Sequence, residues 1–202
     1  MSKLRIAVLA SGGGTNLQAI IESCAKGEIN AEIAVVVSDK PTVGALLRAK
    51  NAGIEQQTLL TAGFLSRTDY DIALTDLLKS YRVELVVLAG YMRLVSPVIL
   101  NAFPDRVINI HPALLPSFPG LHAQRQALEY GVKISGCTVH FVDSGMDTGP
   151  IIAQTTVPVL GSDTEETLSE RILVEEHKLY SYVISKLAAG KIRLENRKVI
   201  FK

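Results

Sequence analysis

The chain alternates between short, continuously apolar runs and segments whose apolar residues recur at helical spacing. Residues 4–10 and 83–89 are almost wholly apolar, which is typical of strands buried on both faces of a sheet. Similar runs cover residues 33–37, 107–111, 134–142 and 151–159, and helical patterns lie between most of them. This alternation predicts an α/β fold with a doubly wound, mainly parallel sheet. Residues 193–201 predict a small C-terminal hairpin.

Length and charge restrict the class of protein. The 202 residues suit a single domain, residues 1–202, and the net charge of +1 gives no field that would attract nucleic acid or a membrane. Met1 to Lys3 lead directly into an apolar strand without the core of a signal peptide, so we expect a cytoplasmic protein. Cys137, His122 and His140 show no metal-ligand spacing, so we predict no metal.

The strand ending at Pro112 carries two polar side chains on one face. Asn109 and His111 are two positions apart, which places them on the same side of a strand, about 7 Å apart at Cα. Ligands of open α/β sheets bind beyond the carboxyl ends of strands. We favour a functional pair here, and the alternative is a core histidine satisfied by a backbone carbonyl.

A glycine-rich loop follows the first strand. Residues 11–16 read Ser-Gly-Gly-Gly-Thr-Asn, and Leu17, Ile20 and Ile21 then continue at helical spacing. A strand, a glycine loop and a helix together present free N–H groups to an anion. No Lys follows as in a Walker A motif, and Leu17 replaces the third glycine of the dinucleotide fingerprint. The loop therefore favours phosphate rather than NAD, with a flexible turn as the alternative.

Two further segments carry acidic residues that are candidates for a functional site. The loop of residues 143–150, with two acids and two glycines after a buried strand, can bring a carboxylate to an imidazole. Glu176 lies on the apolar stripe of the last helix, between Ile172 and Leu179, where a carboxylate is costly unless it is paired. We favour a ligand contact for Glu176 over a solvent-boundary position. Residues 162–165 predict the capping box of this helix.

For several other residues the sequence supports a ligand contact and a structural role equally. Ser66 is the predicted N-cap of a helix, and Arg67 in its first turn opposes the helix dipole, so it either meets an anionic ligand or is a surface charge. Met92, Leu94 and Val95 either line a slot for a flat aromatic ligand or pack under the sheet edge. Asp39 either holds a ribose hydroxyl or is a solvated loop carboxylate.

Four motifs together resemble one enzyme family. They are Ser11 to Gln18 (SGGGTNLQ), Leu88 to Arg93 (LAGYMR), Ile108 to Pro116 (INIHPALLP) and Asp147 to Pro150 (DTGP). In this order they resemble the folate-dependent phosphoribosylglycinamide formyltransferases, and the match runs from the first strand to the Glu176 helix. The sequence departs from that family at Ala113, where Ser is usual, and at Gly13, where relatives often carry a polar side chain.

The resemblance implies transfer of a formyl group from 10-formyltetrahydrofolate, a co-substrate, to the glycyl amine of glycinamide ribonucleotide in purine biosynthesis. It implies a phosphate-binding half, about 1–100, and a folate and catalytic half, about 101–202. It assigns the substrate to Gly14, Thr15, Asn16 and Glu176, and catalysis to Asn109, His111 and Asp147. It assigns folate contacts to Asn109, Arg67, Met92, Arg93, Leu94, Val95 and the loop from Val142 through Asp143 to Asp147.

The residues suit that reaction. Asn109 and protonated His111 can donate to the formyl oxygen of a tetrahedral intermediate, and Asp147 is expected to raise the pKa of His111. No covalent enzyme intermediate is needed. The sequence leaves the oligomeric state open, with a homodimer as one alternative.

Other readings are a formyltetrahydrofolate deformylase, a methionyl-tRNA formyltransferase and a non-catalytic nucleotide-binding module. Deformylases usually carry an extra N-terminal domain, and the tRNA enzyme a C-terminal domain and a basic surface. We expect neither an extra domain of either kind nor a basic surface in this chain.

Overall fold

A computed structural model describes residues 2–202 and contains the expected α/β sheet. The structure has a central sheet of seven strands and a separate two-stranded hairpin. The strands are β1 Leu4–Leu9, β2 Ala31–Ser38, β3 Gln56–Thr58, β4 Leu85–Leu88, β5 Val107–His111, β6 Ile134–Phe141, β7 Ile151–Pro158, β8 Ile192–Glu195 and β9 Lys198–Phe201. The helices are α1 Thr15–Ala25, α2 Gly44–Asn51, α3 Arg67–Ser80, α4 Pro97–Ala102, α5 Ala123–Tyr130 and α6 Glu165–Ala188. The predicted fold class and the hairpin are confirmed.

The strand order places the ends of the central strands side by side. The order is β3-β2-β1-β4-β5-β6-β7, so the chain changes direction across the sheet between β1 and β4. Strands β1 to β5 pair in parallel, whereas β5–β6 and β6–β7 pair antiparallel. The loops after β1, β4 and β5 therefore leave the same edge, which is where ligands bind in such sheets.

Both faces of the sheet are buried, as the apolar runs predict. Along β1, Ile6 and Val8 pack on the side of α1, α2 and α6, while Ala7 and Leu9 pack on the side of α3 and α4. Because successive strand residues point to opposite faces, an unbroken apolar run fills both cores.

The ends of the helices partly match the sequence predictions. Ser66 caps α3 as predicted, because its Oγ accepts the N–H of Asp69 at 3.1 Å. The capping box predicted at residues 162–165 is wrong, because α6 starts later and its box joins Thr164 to Thr167. The carboxylate of Asp163 is instead held by Arg171, at 2.7 and 2.8 Å.

Helix α4 begins without a side-chain cap. Ser96 occupies the N-cap position and Pro97 follows it. The Ser96 side chain makes no cap hydrogen bond, and its buried Oγ has no partner among the described residues. Its backbone N–H donates to the buried carboxylate of Asp71 instead, at 3.1 Å.

Helix α6 is fixed to the sheet by a buried tyrosine. The hydroxyl of Tyr180 lies within hydrogen-bond distance of the carbonyl oxygens of Leu88, at 2.8 Å, and Ile108, at 3.1 Å. These residues belong to β4 and β5, so one hydroxyl joins the helix to the two strands that border the candidate site. No helix within residues 2–202 has the length and apolar character needed to cross a membrane.

We expect Tyr180→Phe to lower the free energy of unfolding by about 1–2 kcal/mol, because it removes a buried hydrogen-bonded hydroxyl. Tyr182→Phe on the same helix is the matched control, since Tyr182 is 47% exposed and its hydroxyl makes no hydrogen bond within the described chain. Urea unfolding followed by circular dichroism gives both values. Equal stabilities of the two variants would contradict the structural role of Tyr180.

Candidate active site

A cleft of about 500 Å³ opens at the carboxyl ends of β4 and β5. Its walls come from the loops after β4, β5 and β6 and from residues of α1 and α6. Such a volume lies within the range of small-molecule sites. The cleft therefore occupies the edge of the sheet that the strand order makes available.

Asn109 is oriented by the neighbouring antiparallel strand. The register of β5 against β6 places it directly opposite His140, and its Nδ2 lies 3.2 Å from His140 Nε2. His140 Nδ1 lies 2.8 Å from the carbonyl oxygen of Phe141, so Nδ1 carries the proton and Nε2 accepts from the amide. One N–H of the Asn109 amide remains for a ligand in the cleft.

His111 has both ring nitrogens beside protein acceptors. Its Nε2 lies 2.8 Å from the carbonyl oxygen of Phe118, and its Nδ1 lies 3.4 Å from Asp147 Oδ2. The protonated ring can donate in both directions. A donation from His111 to a bound ligand therefore requires one of these two contacts to be exchanged.

Asp147 lies between two imidazoles. Its Oδ2 accepts the N–H of Gly120 at 2.8 Å, and its Oδ1 lies 3.6 Å from His140 Nε2, which is long for a hydrogen bond. Burial alone raises the pKa of Asp147, but the His140 imidazole, the Gly120 N–H and the nearby His111 outweigh it, so the pKa lies below its ordinary value. The carboxylate is thus charged at neutral pH.

Burial outweighs the Asp147 carboxylate in setting the pKa of His111. Burial lowers the pKa of the imidazole below its ordinary value, although the Phe118 carbonyl and the Asp147 carboxylate both act to raise it. Asp147 acts in the predicted direction, but the net shift is downward because His111 is only 5% exposed and its imidazole loses hydration.

Glu176 lies on the buried face of α6, as its position on the apolar stripe predicted. It is 7% exposed, and its Oε2 accepts from Asn16 Nδ2 at 2.9 Å. Burial raises the pKa of Glu176, and the hydrogen bond from Asn16 opposes that shift only in part. Both side chains line the cleft, and the buried Oδ1 of Asn16 has no partner within residues 2–202.

The glycine loop lies beside the cleft and presents free donors. Gly14 and Thr15 do not line the cleft, in contrast to Asn16. Gly14 holds the N-cap position of α1 with φ +75°, and no side chain caps the helix. Within the described chain, none of the N–H groups of residues 12–17 donates a hydrogen bond. The loop therefore has the free amides that an anion requires.

The two departures from the family pattern have little steric consequence. A Cβ added to Gly13 would meet no atom within 4 Å, so the loop does not require glycine there. Ala113 is fully buried away from the cleft, and its carbonyl oxygen accepts from Thr138 Oγ1 at 2.6 Å.

The residues predicted to contact folate mostly line the cleft. Those that do are Met92, Arg93, Leu94, Val95, Val142, Asp143 and Asp147. Met92 and Leu94 are largely exposed, whereas Val95 is buried. The guanidinium of Arg93 lies 4.5 Å from the Tyr70 ring centroid.

Arg67 supports the cleft instead of lining it. Its Nη2 donates to the carbonyl oxygen of Leu94, and its Nε lies 4.0 Å from Asp71 Oδ2. The carboxylate of Asp143 also stabilises its own loop, because it accepts hydrogen bonds from Gly145 N at 3.1 Å and from Thr148 Oγ1 at 2.6 Å. Asp39 is half-buried and does not line the cleft.

Sequence reasoning missed the part played by His140. In the sequence, His140 is considered only as a metal ligand, and it shows no metal-ligand spacing. The signal that identifies His140 is the register of β6 against β5, which depends on the tertiary fold.

Several known proteins are similar to this chain over most of its length. The sequence profile of the formyl transferase family matches residues 4–184. The phosphoribosylglycinamide formyltransferase of Escherichia coli K12 is 44% identical over 95% of this chain and 90% of its own length. The structure of glycinamide ribonucleotide transformylase 1 from Symbiobacterium toebii is 54% identical, with a TM-score of 0.98 over 99% of this chain and 94% of that one.

Longer and more distant proteins are also similar. The trifunctional purine biosynthetic protein adenosine-3 of Drosophila pseudoobscura is 50% identical over 94% of this chain, which spans 14% of the length of that relative. A formyltetrahydrofolate deformylase from Pseudomonas syringae is 25% identical, with a TM-score of 0.92 over 98% of this chain and 66% of that one. The match to the family profile and the near full-length likeness to the bacterial enzymes show that the chain belongs to the phosphoribosylglycinamide formyltransferases within the formyl transferase family.

Proposed function

We propose that the chain transfers the formyl group of 10-formyltetrahydrofolate to the glycyl amine of glycinamide ribonucleotide. One observation carries this proposal: Asn109, His111 and Asp147 meet in a cleft that also contains Asn16 and Glu176. An acyl-transfer centre and a buried polar pair for an acceptor molecule thus share one cavity. The family membership supports the formyl-folate donor.

The acceptor is placed by the glycine loop and by α6 in this proposal. Its phosphate binds the free N–H groups of Gly14, Thr15 and Asn16 at the start of α1. Glu176 accepts hydrogen bonds from the ribose or glycinamide end. The folate lies along residues 92–95 and residues 142–147, where exposed apolar side chains offer a surface for a flat ring.

Asn109 and His111 stabilise the charge that develops on the formyl oxygen. The free N–H of Asn109 donates to that oxygen, and one preorganised donor of this kind is typically worth about 3–4 kcal/mol. His111 is mainly neutral at pH 7 in the free protein, because burial lowers its pKa. The developing negative charge favours its protonated form, which Asp147 holds in place.

The bonds and protons balance without a covalent enzyme intermediate. A C–N bond forms between the glycyl nitrogen and the formyl carbon, and the C–N bond to the folate N10 breaks. The proton released by the attacking amine ends on that folate nitrogen, carried by a water molecule in the cleft. The two free cysteines take no part, since burial raises the pKa of Cys24 and raises that of Cys137 to about 12.

The assay that tests this function measures loss of 10-formyltetrahydrofolate by absorbance, with and without glycinamide ribonucleotide. We expect turnover only when the acceptor is present. Equal turnover without the acceptor would identify a deformylase instead. Binding of both compounds without turnover would identify a non-catalytic module.

We expect Asn109→Ala to lower kcat about 10²–10³-fold, because the oxyanion loses a preorganised donor. Asn101→Ala is the matched control, since Asn101 is exposed on α4 and outside the cleft. Steady-state kinetics with both substrates give the values. A kcat for Asn109→Ala within three-fold of the control would exclude Asn109 from the reaction.

We expect Asp147→Asn to shift the titration of His111 to lower pH. Burial already disfavours the charged imidazole, and the substitution removes the carboxylate that opposes burial. NMR of the imidazole C–H signals measures this shift, and His177, outside the cleft, is the internal control. An unchanged or raised His111 pKa would show that Asp147 does not stabilise the imidazolium.

A further inference from the structure

The glycine loop is held from behind by α2. The N–H of Ala45 donates to the carbonyl oxygen of Gly12 at 3.0 Å. The Nε of Arg48 donates to the carbonyl oxygen of Gly13 at 2.9 Å. The contact between loop and helix is close on both sides, because a Cβ on Gly14 would lie 2.7 Å from Ala45 Cα and a Cβ on Gly44 would lie 2.7 Å from the Gly13 oxygen.

These two contacts fix the direction of two N–H groups. In a planar trans peptide the C=O and the following N–H point in opposite directions. With the carbonyl oxygens of Gly12 and Gly13 bound on the α2 side, the N–H groups of Gly13 and Gly14 point away from α2. Neither N–H donates a hydrogen bond within residues 2–202.

Arg48 is itself held in place. Its Nη1 donates to Gln18 Oε1 at 3.2 Å, and Gln18 Nε2 donates to Glu22 Oε1 at 3.0 Å. Arg48 is half-buried, and its guanidinium is anchored on α1 at one end and on the loop carbonyl at the other. Its positive charge also lies on the rear side of a loop that is proposed to bind an anion.

We propose that Arg48 is a positioning residue for the acceptor phosphate. It holds the Gly13 carbonyl away from the anion site, which aims the Gly14 N–H at the phosphate and adds positive potential behind the loop. This inference rests on the proposed function for the phosphate itself. The free N–H groups of the loop can donate to the phosphate, and the unpartnered, buried Oδ1 of Asn16 can accept from a hydroxyl or amide group of the same ligand.

The test separates loop orientation from general stability by comparing two acceptors. We expect Arg48→Ala to raise the KM for glycinamide ribonucleotide about ten-fold, because a hydrogen bond from a charged group is lost. We expect the kcat and the KM for 10-formyltetrahydrofolate to stay within two-fold of the values for the unaltered protein. With the dephosphorylated acceptor, glycinamide riboside, Arg48→Ala and the unaltered protein have the same kcat/KM.

A second measurement needs no turnover. Titration with inorganic phosphate, followed by the amide NMR signals of Gly13 and Gly14, is expected to give about ten-fold weaker binding in Arg48→Ala. Lys50→Ala is the matched control, since it removes the same charge from the same helix and the Lys50 side chain makes no hydrogen bond or ion pair in the described chain. Gln18→Ala, which only releases one end of Arg48, shifts binding in the same direction by a smaller factor.

The outcomes separate the two proposals. Phosphate binding by Arg48→Ala within two-fold of Lys50→Ala would overturn the role of Arg48, and so would an equal loss of kcat/KM with both acceptors. If phosphate binding weakens as expected but the unaltered protein does not formylate glycinamide ribonucleotide, the proposed function fails while the role of Arg48 in anion binding stands.

Discussion

The antiparallel pairing of β6 with β5 determines the geometry of the candidate active site. It places His140 opposite Asn109 and directs the following loop, with Asp147, back over the end of β5. If β6 were parallel to β5, the two strands would end at the same edge of the sheet, and the loop after β6 would leave beside the loop after β5. Here the chain instead returns along β7, and the turn between the two strands forms one wall of the cleft.

The polar groups of the cleft are only partly satisfied by the protein. The Asn109 amide has one N–H in use, Asn16 has an unpartnered oxygen, and Glu176 has a single hydrogen-bond donor in a buried position. Buried polar groups without hydrogen-bond partners lower the stability of the folded state. A folded protein therefore retains such a cluster only where a ligand completes its hydrogen bonds or a function requires it. Burial and Asp147 act in opposite directions on His111, which keeps its imidazole responsive to charge in the cleft.

The predictable part of this structure follows from local periodicity. The strands, the pairing of Asn109 with His111 on one face and the burial of Glu176 all depend on spacing of two or of about 3.6 residues. The part that was missed depends on tertiary geometry. The contact of His140 with Asn109 needs the strand register, the support of the loop by Arg67 needs the packing of α3, and the net pKa of His111 needs the degree of burial. The start of α6 was misplaced because Arg171, in the second turn of the helix, binds the carboxylate of Asp163.

In the proposed reaction the Asn109 amide, the His111 imidazole and the Asp147 carboxylate act on one acyl carbon at the edge of the sheet. A crystal structure of the protein with glycinamide ribonucleotide and a non-reactive carbon analogue of 10-formyltetrahydrofolate tests this most directly. We expect the acyl oxygen about 3 Å from Asn109 Nδ2, with His111 and Asp147 still in contact beside it. An acyl group bound away from Asn109 and His111 would contradict it.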